Sequence, residues 1–93
     1  MEPSPPKSST PVYLYVSTAD PLRVEKVDLR RLSHRFALTV YWTDPPAGTT
    51  ADTSLGQHKQ LLGTMHAGVY AAVVQTFYKG KLVDFRTMMF QVQ

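Results

Sequence analysis

The chain contains no cysteine. That excludes a disulfide, a thiolate nucleophile and a cysteine-based zinc site, and it separates the chain from small secreted domains, which use disulfides to supplement a thin core. The expected setting is a reducing one: the cytoplasm, or a virus particle assembled in it. The opening residues MEPSPPKSSTP hold no apolar stretch of the kind a secretory signal needs. No run approaches the roughly 18 apolar residues of a membrane helix. Glutamate is scarce, with Glu2 and Glu25 alone, so general acid-base chemistry is poorly supplied. There is no phosphate-cradling glycine loop and no Gly-x-Ser-x-Gly elbow, and nothing local supports a triad from Ser33 or Ser54 with a histidine and Asp20, Asp44, Asp52 or Asp84. His34, His58 and His66 lie 24 and 8 residues apart without HxH or HxxxH spacing. No metal site and no cofactor are expected, and surface histidine is the ordinary reading. These absences point away from an enzyme.

What is present is the composition of one small globular domain: 93 residues, 43% hydrophobic and 18% charged. The net charge of +3 favours encounter with anions without requiring it. The densest basic run is Arg30-Arg31-Leu32-Ser33-His34-Arg35, which makes Arg30, Arg31 and Arg35 candidate anion-binding residues. Its Arg-Arg-x-Ser is similar to a basophilic kinase site. A nucleic-acid-binding role would need aromatic residues beside it, with Tyr13, Tyr15 and Tyr41 as candidates. The plain alternative is a solvated turn leading into a strand.

Residues 1–10 hold prolines, serines and a threonine but no large apolar residue after Met1, so they are read as a flexible arm before a single domain over 11–93. The arm's PSPP and SSTP pieces fit a polyproline ligand or a phosphorylation site, and equally a solubilising tail. Val12–Val16 is a run of β-branched, aromatic and aliphatic residues, read as a strand. In Leu22–Leu29 the apolar residues change phase between Val24 and Val27, as a bulge would cause. A short helix capped at Asp20-Pro21 competes with that reading. From Arg35 to Thr43, Phe36, Leu38, Val40 and Trp42 alternate with smaller or polar residues, the pattern of a half-buried strand ended by Asp44-Pro45-Pro46. Thr49 to His58 is polar and small, a candidate mobile loop.

Between residues 55 and 78 two readings stay open. A helix could start at Thr53 or Ser54 and end at Gly80, giving an α+β fold. Strands over Gln60–Met65 and Val69–Tyr78 are favoured by the interior glycines and by Val73, Val74 and Thr76. The second of these strands turns at Lys79-Gly80 and returns along Lys81–Val92. A type I turn closed by a left-handed glycine is the expected bend.

A two-residue bend sets Tyr78 opposite Lys81, Phe77 opposite Leu82, Thr76 opposite Val83, Val74 opposite Phe85 and Tyr70 opposite Met89. One face then carries Tyr70, Ala72, Val74, Thr76, Val83, Phe85, Thr87 and Met89. The other carries Val69, Ala71, Val73, Phe77, Leu82, Met88 and Phe90, interrupted by Gln75, Asp84 and Arg86. A hairpin apolar on both faces must lie between two layers, carry a bulge (here expected near Arg86), or meet a partner. The large residues of the second set, Val69, Val73, Phe77, Leu82, Met88 and Phe90, are therefore the candidate partner-binding face.

Gly68-Val69-Tyr70, the alternation through Val74, the Lys79-Gly80 turn and a last strand ending in Phe90 and Val92 resemble the final two strands of immunoglobulin-like and fibronectin-like β-sandwich modules. The resemblance implies a tyrosine corner at Tyr70, whose hydroxyl bonds back to the backbone, and a scaffold that binds or spaces other proteins. The chain lacks the two core cysteines of antibody-type members, and Trp42 is the candidate for their core tryptophan. The expectation is an all-β protein, a small antiparallel β-sandwich of about six to seven strands. Its expected role is a non-catalytic interaction or structural module that uses the C-terminal hairpin to bind a protein partner or a second copy of itself.

Overall fold

Period-two burial organises the chain into strands. A computed structural model describes residues 6–46 and 55–93, all of it strand, turn or irregular segment with no helix. The strands are β1 (Val12–Ser17), β2 (Arg23–Leu32), β3 (Arg35–Thr43), β4 (Gln57–Gly63), β5 (Gly68–Tyr78) and β6 (Lys81–Val92). The candidate helix over 55–78 is not formed. Tyr70, Ala72, Val74 and Thr76 are buried and their neighbours less so, a period of two that a helix cannot present to one side. The helix at Asp20-Pro21 is likewise absent. The expected helix start at Thr53 or Ser54, the triad candidate Ser54, Asp52 and most of the Thr49–His58 loop lie outside the described residues, as does most of the PSPP motif.

The strands form two sheets. β1 pairs with β4, and a four-stranded sheet runs β2-β3-β5-β6. Val12, Leu14 and Val16 of β1 and Leu62 of β4 share one core with Phe36, Leu38, Val40 and Trp42 of β3 and Tyr70, Ala72 and Val74 of β5. This is a small β-sandwich. Three of the four strand pairs are antiparallel, but β3 and β5 run parallel, Arg35 opposite Ala71 through Trp42 opposite Tyr78. The reason is connectivity: after β3 the chain crosses to the other sheet to make β4 and then returns. The longest strand, β6, would span roughly 40 Å at about 3.3 Å per residue, which accounts for the long axis of the 45 × 24 × 17 Å molecule.

A bulge at Glu25 resolves the phase change in β2. The register steps from Val24 opposite Trp42 to Lys26 opposite Tyr41, so Val24, Val27 and Leu29 all pack against the core. The Lys79-Gly80 bend differs from expectation. Lys79 as well as Gly80 has positive φ, 50° and 77°, which is the requirement of a type I′ turn, whose twist matches that of the flanking strands.

Two segments read as loose from composition are tied down by backbone bonds. Pro6 is buried, the Gln93 N–H donates to the Pro6 carbonyl at 2.9 Å, and the Ser8 N–H donates to the Gln93 carbonyl at 2.7 Å. Gly56, at the end of the polar loop, is buried; its N–H donates to the Leu22 carbonyl at 2.6 Å and its carbonyl accepts from the Thr18 N–H at 2.8 Å. Main-chain bonds of this kind use groups that every residue carries, so composition gives no sign of them.

Candidate functional site

The C-terminal hairpin has the expected ends but not the expected faces. Tyr78 lies opposite Lys81 and Phe77 opposite Leu82; the register then slips by one residue, with Thr76 opposite Asp84, Val74 opposite Arg86 and Tyr70 opposite Phe90. The bulge therefore falls at Val83, not near Arg86. Because side chains alternate, a one-residue slip moves every later residue to the other face. Of the six residues read as a partner-binding face, Val69, Val73, Phe77 and Leu82 stay on the outer side of the sheet. Met88 and Phe90 turn inward and pack against the core. Phe90 stacks on Tyr70 with ring centroids 5.8 Å apart and lies 6.4 Å from Phe36. Phe85 and Met89, assigned to the core side by the unbroken register, face outward with 54% and 74% of their surface exposed.

The sequence alone carries no signal for this. Counting by twos from either end puts Leu82, Asp84, Arg86, Met88, Phe90 and Val92 on one side of an unbroken strand, yet Val92 is buried and Leu82 half exposed. One added residue, at the adjacent apolar pair Leu82-Val83, is what reconciles them.

The outer edge of β6 has no strand beside it among the described residues. Its main-chain polarity follows from the hairpin. The pair closing a two-residue turn is hydrogen-bonded, and bonded and non-bonded pairs alternate along an antiparallel ladder. Thr76 and Asp84 at the bulge are thus a bonded pair, and Phe85 turns its N–H and C=O outward. Consistent with that, the Phe85 N–H donates to its neighbour's Asp84 Oδ1 at 3.0 Å, while Arg86 Nε holds Oδ2 of the same carboxylate at 3.0 Å. Thr87, Met89, Gln91 and Gln93 follow the same phase, and the Gln93 groups are those taken by Pro6 and Ser8. Asp84 and Arg86 themselves sit on the inner side, in an open cleft with Tyr15, Val16 and Met88. Two strands laid over four leave that margin uncovered.

On the outer face an apolar depression of about 440 Å³ is lined by His34, Arg35, Val69, Ala71, Val73 and Met89, among others. It adjoins Arg30, Leu32 and Ala37. The three candidate anion-binding arginines do not converge. Arg30 lies opposite Ala37, and Arg35 shares its outer face, whereas Arg31 lies opposite Phe36 with its guanidinium 5.2 Å from that ring. Arg30 also contacts Asp28 at 3.6 Å. Tyr41 stacks with Phe77 at 5.5 Å on the outer face beneath Lys26 Nζ, 5.8 Å away. Tyr13 and Tyr15 are on the other sheet, where Lys59 Nζ lies 4.2 Å and 5.6 Å from their rings.

Several other titratable side chains make local contacts. His34 lies 4.7 Å from the Tyr70 ring, with Ser33 Oγ at 3.1 Å from its Nδ1, and His58 Nε2 contacts Gln60 at 2.9 Å. Tyr70 donates its hydroxyl to the His66 carbonyl at 2.8 Å. At the opposite end Tyr78 donates to Asp44, and Lys79 Nζ sits 3.4 Å from the same carboxylate. The Tyr78 hydrogen bond, followed by the Lys79 charge, holds the Asp44 carboxyl below its ordinary range. Among the described residues no three His, Asp or Glu side chains gather as metal ligands.

Comparison with protein-family models, with curated proteins and with solved structures gives no match for the chain.

Proposed function

We propose that the protein is a non-catalytic interaction module that binds an extended strand, from a partner or from a second copy, along the outer edge of β6. The observation that carries this reading is the combination on one strand of outward main-chain groups with exposed Leu82, Val83, Phe85 and Met89. A long apolar edge is a template for strand addition, and proteins that do not use such an edge blunt it with lysine, proline or a covering segment. Here the guards are the bulge at Val83, the inward Asp84 and Arg86 with the carboxylate over one N–H, Lys81 at the turn and the Pro6–Ser8 segment at Gln93; on the outer face from Phe85 to Gln91 there is no charge and no proline. The absence of cysteine suits work in a reducing cytoplasm or in a virion. The test is amide hydrogen exchange at Phe85, Thr87 and Met89. Protection that rises with protein concentration, or on adding an extended apolar peptide, supports the reading. Free exchange at every concentration and with every peptide overturns it.

The second reading, a small nucleic-acid-binding protein, rests on a row of cations, Lys26, Arg30 and Arg35, along the outer face, with the stacked Tyr41 and Phe77 beside Lys26. Binding driven by phosphate contacts falls steeply between about 50 and 200 mM salt. Retention on single-stranded DNA or RNA at low salt, lost over that range, would favour it over the edge reading. No retention dismisses it.

A further inference from the structure

The partner that best fits the β6 edge is β6 itself. We propose that two copies pair through antiparallel β6 strands about a two-fold axis at Thr87, joining two four-stranded sheets into one of eight strands. This rests on the edge reading above and adds the identity and register of the partner.

A two-fold contact is self-complementary: if one residue meets another, the second must meet the first. On β6 the outward main-chain groups belong to Phe85, Thr87, Met89 and Gln91, so only registers that pair odd-numbered residues can form a ladder. With the axis at Thr87, Phe85 lies opposite Met89 of the second copy and Met89 opposite its Phe85. The two most prominent apolar side chains of the outer edge then cover each other twice, in an aromatic–sulfur contact, with threonine against threonine between them.

The neighbouring registers are worse. An axis at Phe85 leaves Met89 opposite Lys81. An axis at Arg86 sets two arginines against each other, which is unfavourable for directly opposed like charges. An axis at Met88 leaves Phe85 opposite Gln91 and brings Val83 to Gln93, whose N–H and C=O are already used by Pro6 and Ser8. The Thr87 register runs from Val83 to Gln91 and stops short of that capped residue.

The area is that of a weak, concentration-dependent contact. Within the register Val83, Phe85 and Met89 each expose more than half of their surface, on the order of 300 Å² of apolar area per copy for side chains of this size. With the main chain of the paired edge, two copies come near the lower bound of about 1,000 Å² for a specific contact. The Asp84 carboxylate must release the Phe85 N–H, but it keeps Arg86 as its partner.

Because the chain has no cysteine, a single introduced thiol reports the register. Thr87→Cys is expected to give a disulfide-linked dimer under mild oxidation at least about tenfold faster than Glu25→Cys on the opposite edge strand, since pairing raises the local thiol concentration. Phe85→Cys is expected to cross-link no faster than Glu25→Cys. In sedimentation, Phe85→Lys should dissociate the dimer, and Phe85→Lys with Met89→Glu, which sets an ammonium against a carboxylate twice across the axis, should restore it. Thr87→Cys matching the Glu25→Cys rate, Phe85→Cys outrunning Thr87→Cys, or no rescue by the double variant overturns the symmetric dimer. If peptide-induced exchange protection of β6 survives those results, the edge still binds a strand and the partner is another chain.

Discussion

Gly56→Ala is expected to be among the most damaging single-methyl changes in this protein. Gly56 has φ of +74°, and a Cβ there would lie 2.7 Å from the Asp20 carbonyl oxygen and 2.9 Å from that of Thr18. Both oxygens belong to the main chain, so neither can swing aside as a side chain would. The left-handed conformation alone costs an L-residue about 1–2 kcal/mol. Moving the chain to relieve the clash also weakens the bonds from Gly56 to Leu22 and Thr18, each worth about 1 kcal/mol net. The total is about 2–4 kcal/mol, a large share of the roughly 5–15 kcal/mol of a typical domain. At about 4–8 °C per kcal/mol for a domain of this size, the midpoint should fall by roughly 8–32 °C. Urea and thermal unfolding can be followed by the single tryptophan, Trp42, which is buried. Gly80→Ala is the control: its φ is +77°, but nothing lies within 4 Å of the added Cβ, so only the conformational cost of about 1–2 kcal/mol applies. Equal losses in the two variants would refute the close approach of Gly56 to the 18–22 turn.

Tyr70→Phe keeps the ring stack with Phe90 but removes the hydroxyl bond to the His66 carbonyl. Because His66 is exposed and water can replace the donor, the expected loss is about 0.5–1.5 kcal/mol, read as a lower urea midpoint at unchanged slope; no loss would show the bond to be idle. Asp44 gives a pH signature. Its carboxyl is depressed by Tyr78 and then by Lys79, so in acid the unfolded chain binds its proton first. The contribution is present above the unfolded carboxylate pKa and is lost as pH falls through the lower folded value. Stability of the wild type minus that of Asp44→Asn should therefore shrink on acidification, and a difference that stays constant from neutral to acid pH would count against the network.

Much of the fold was legible because burial leaves a local imprint. Phe36, Leu38, Val40 and Trp42 declared β3, the phase change before Val27 declared the bulge now placed at Glu25, and Lys79-Gly80 declared the hairpin. What could not be read locally was decided elsewhere. The parallel pairing of β3 with β5 depends on where β4 goes. The anchoring of Pro6 and Gly56 uses main-chain groups common to all residues. Arg30, Arg31 and Arg35 fall within one basic run, yet Arg31 points to the face opposite Arg30, as consecutive strand residues must, and Arg35 on the next strand returns to the face of Arg30.

The candidate site shows the same division most sharply. The sequence by itself determined that β6 is a long strand with more apolar residues than one face can use, because alternation and turn chemistry are local. Only the tertiary structure decided which of them face out. The single added residue at Val83 sends Met88 and Phe90 to the core with Tyr70 and turns Phe85 and Met89 outward. The two-stranded sheet, narrower than the four strands beneath it, leaves the margin of β6 open. A bulge is chosen by the packing of both ends of a strand at once, and no stretch of sequence shorter than the whole hairpin holds that information.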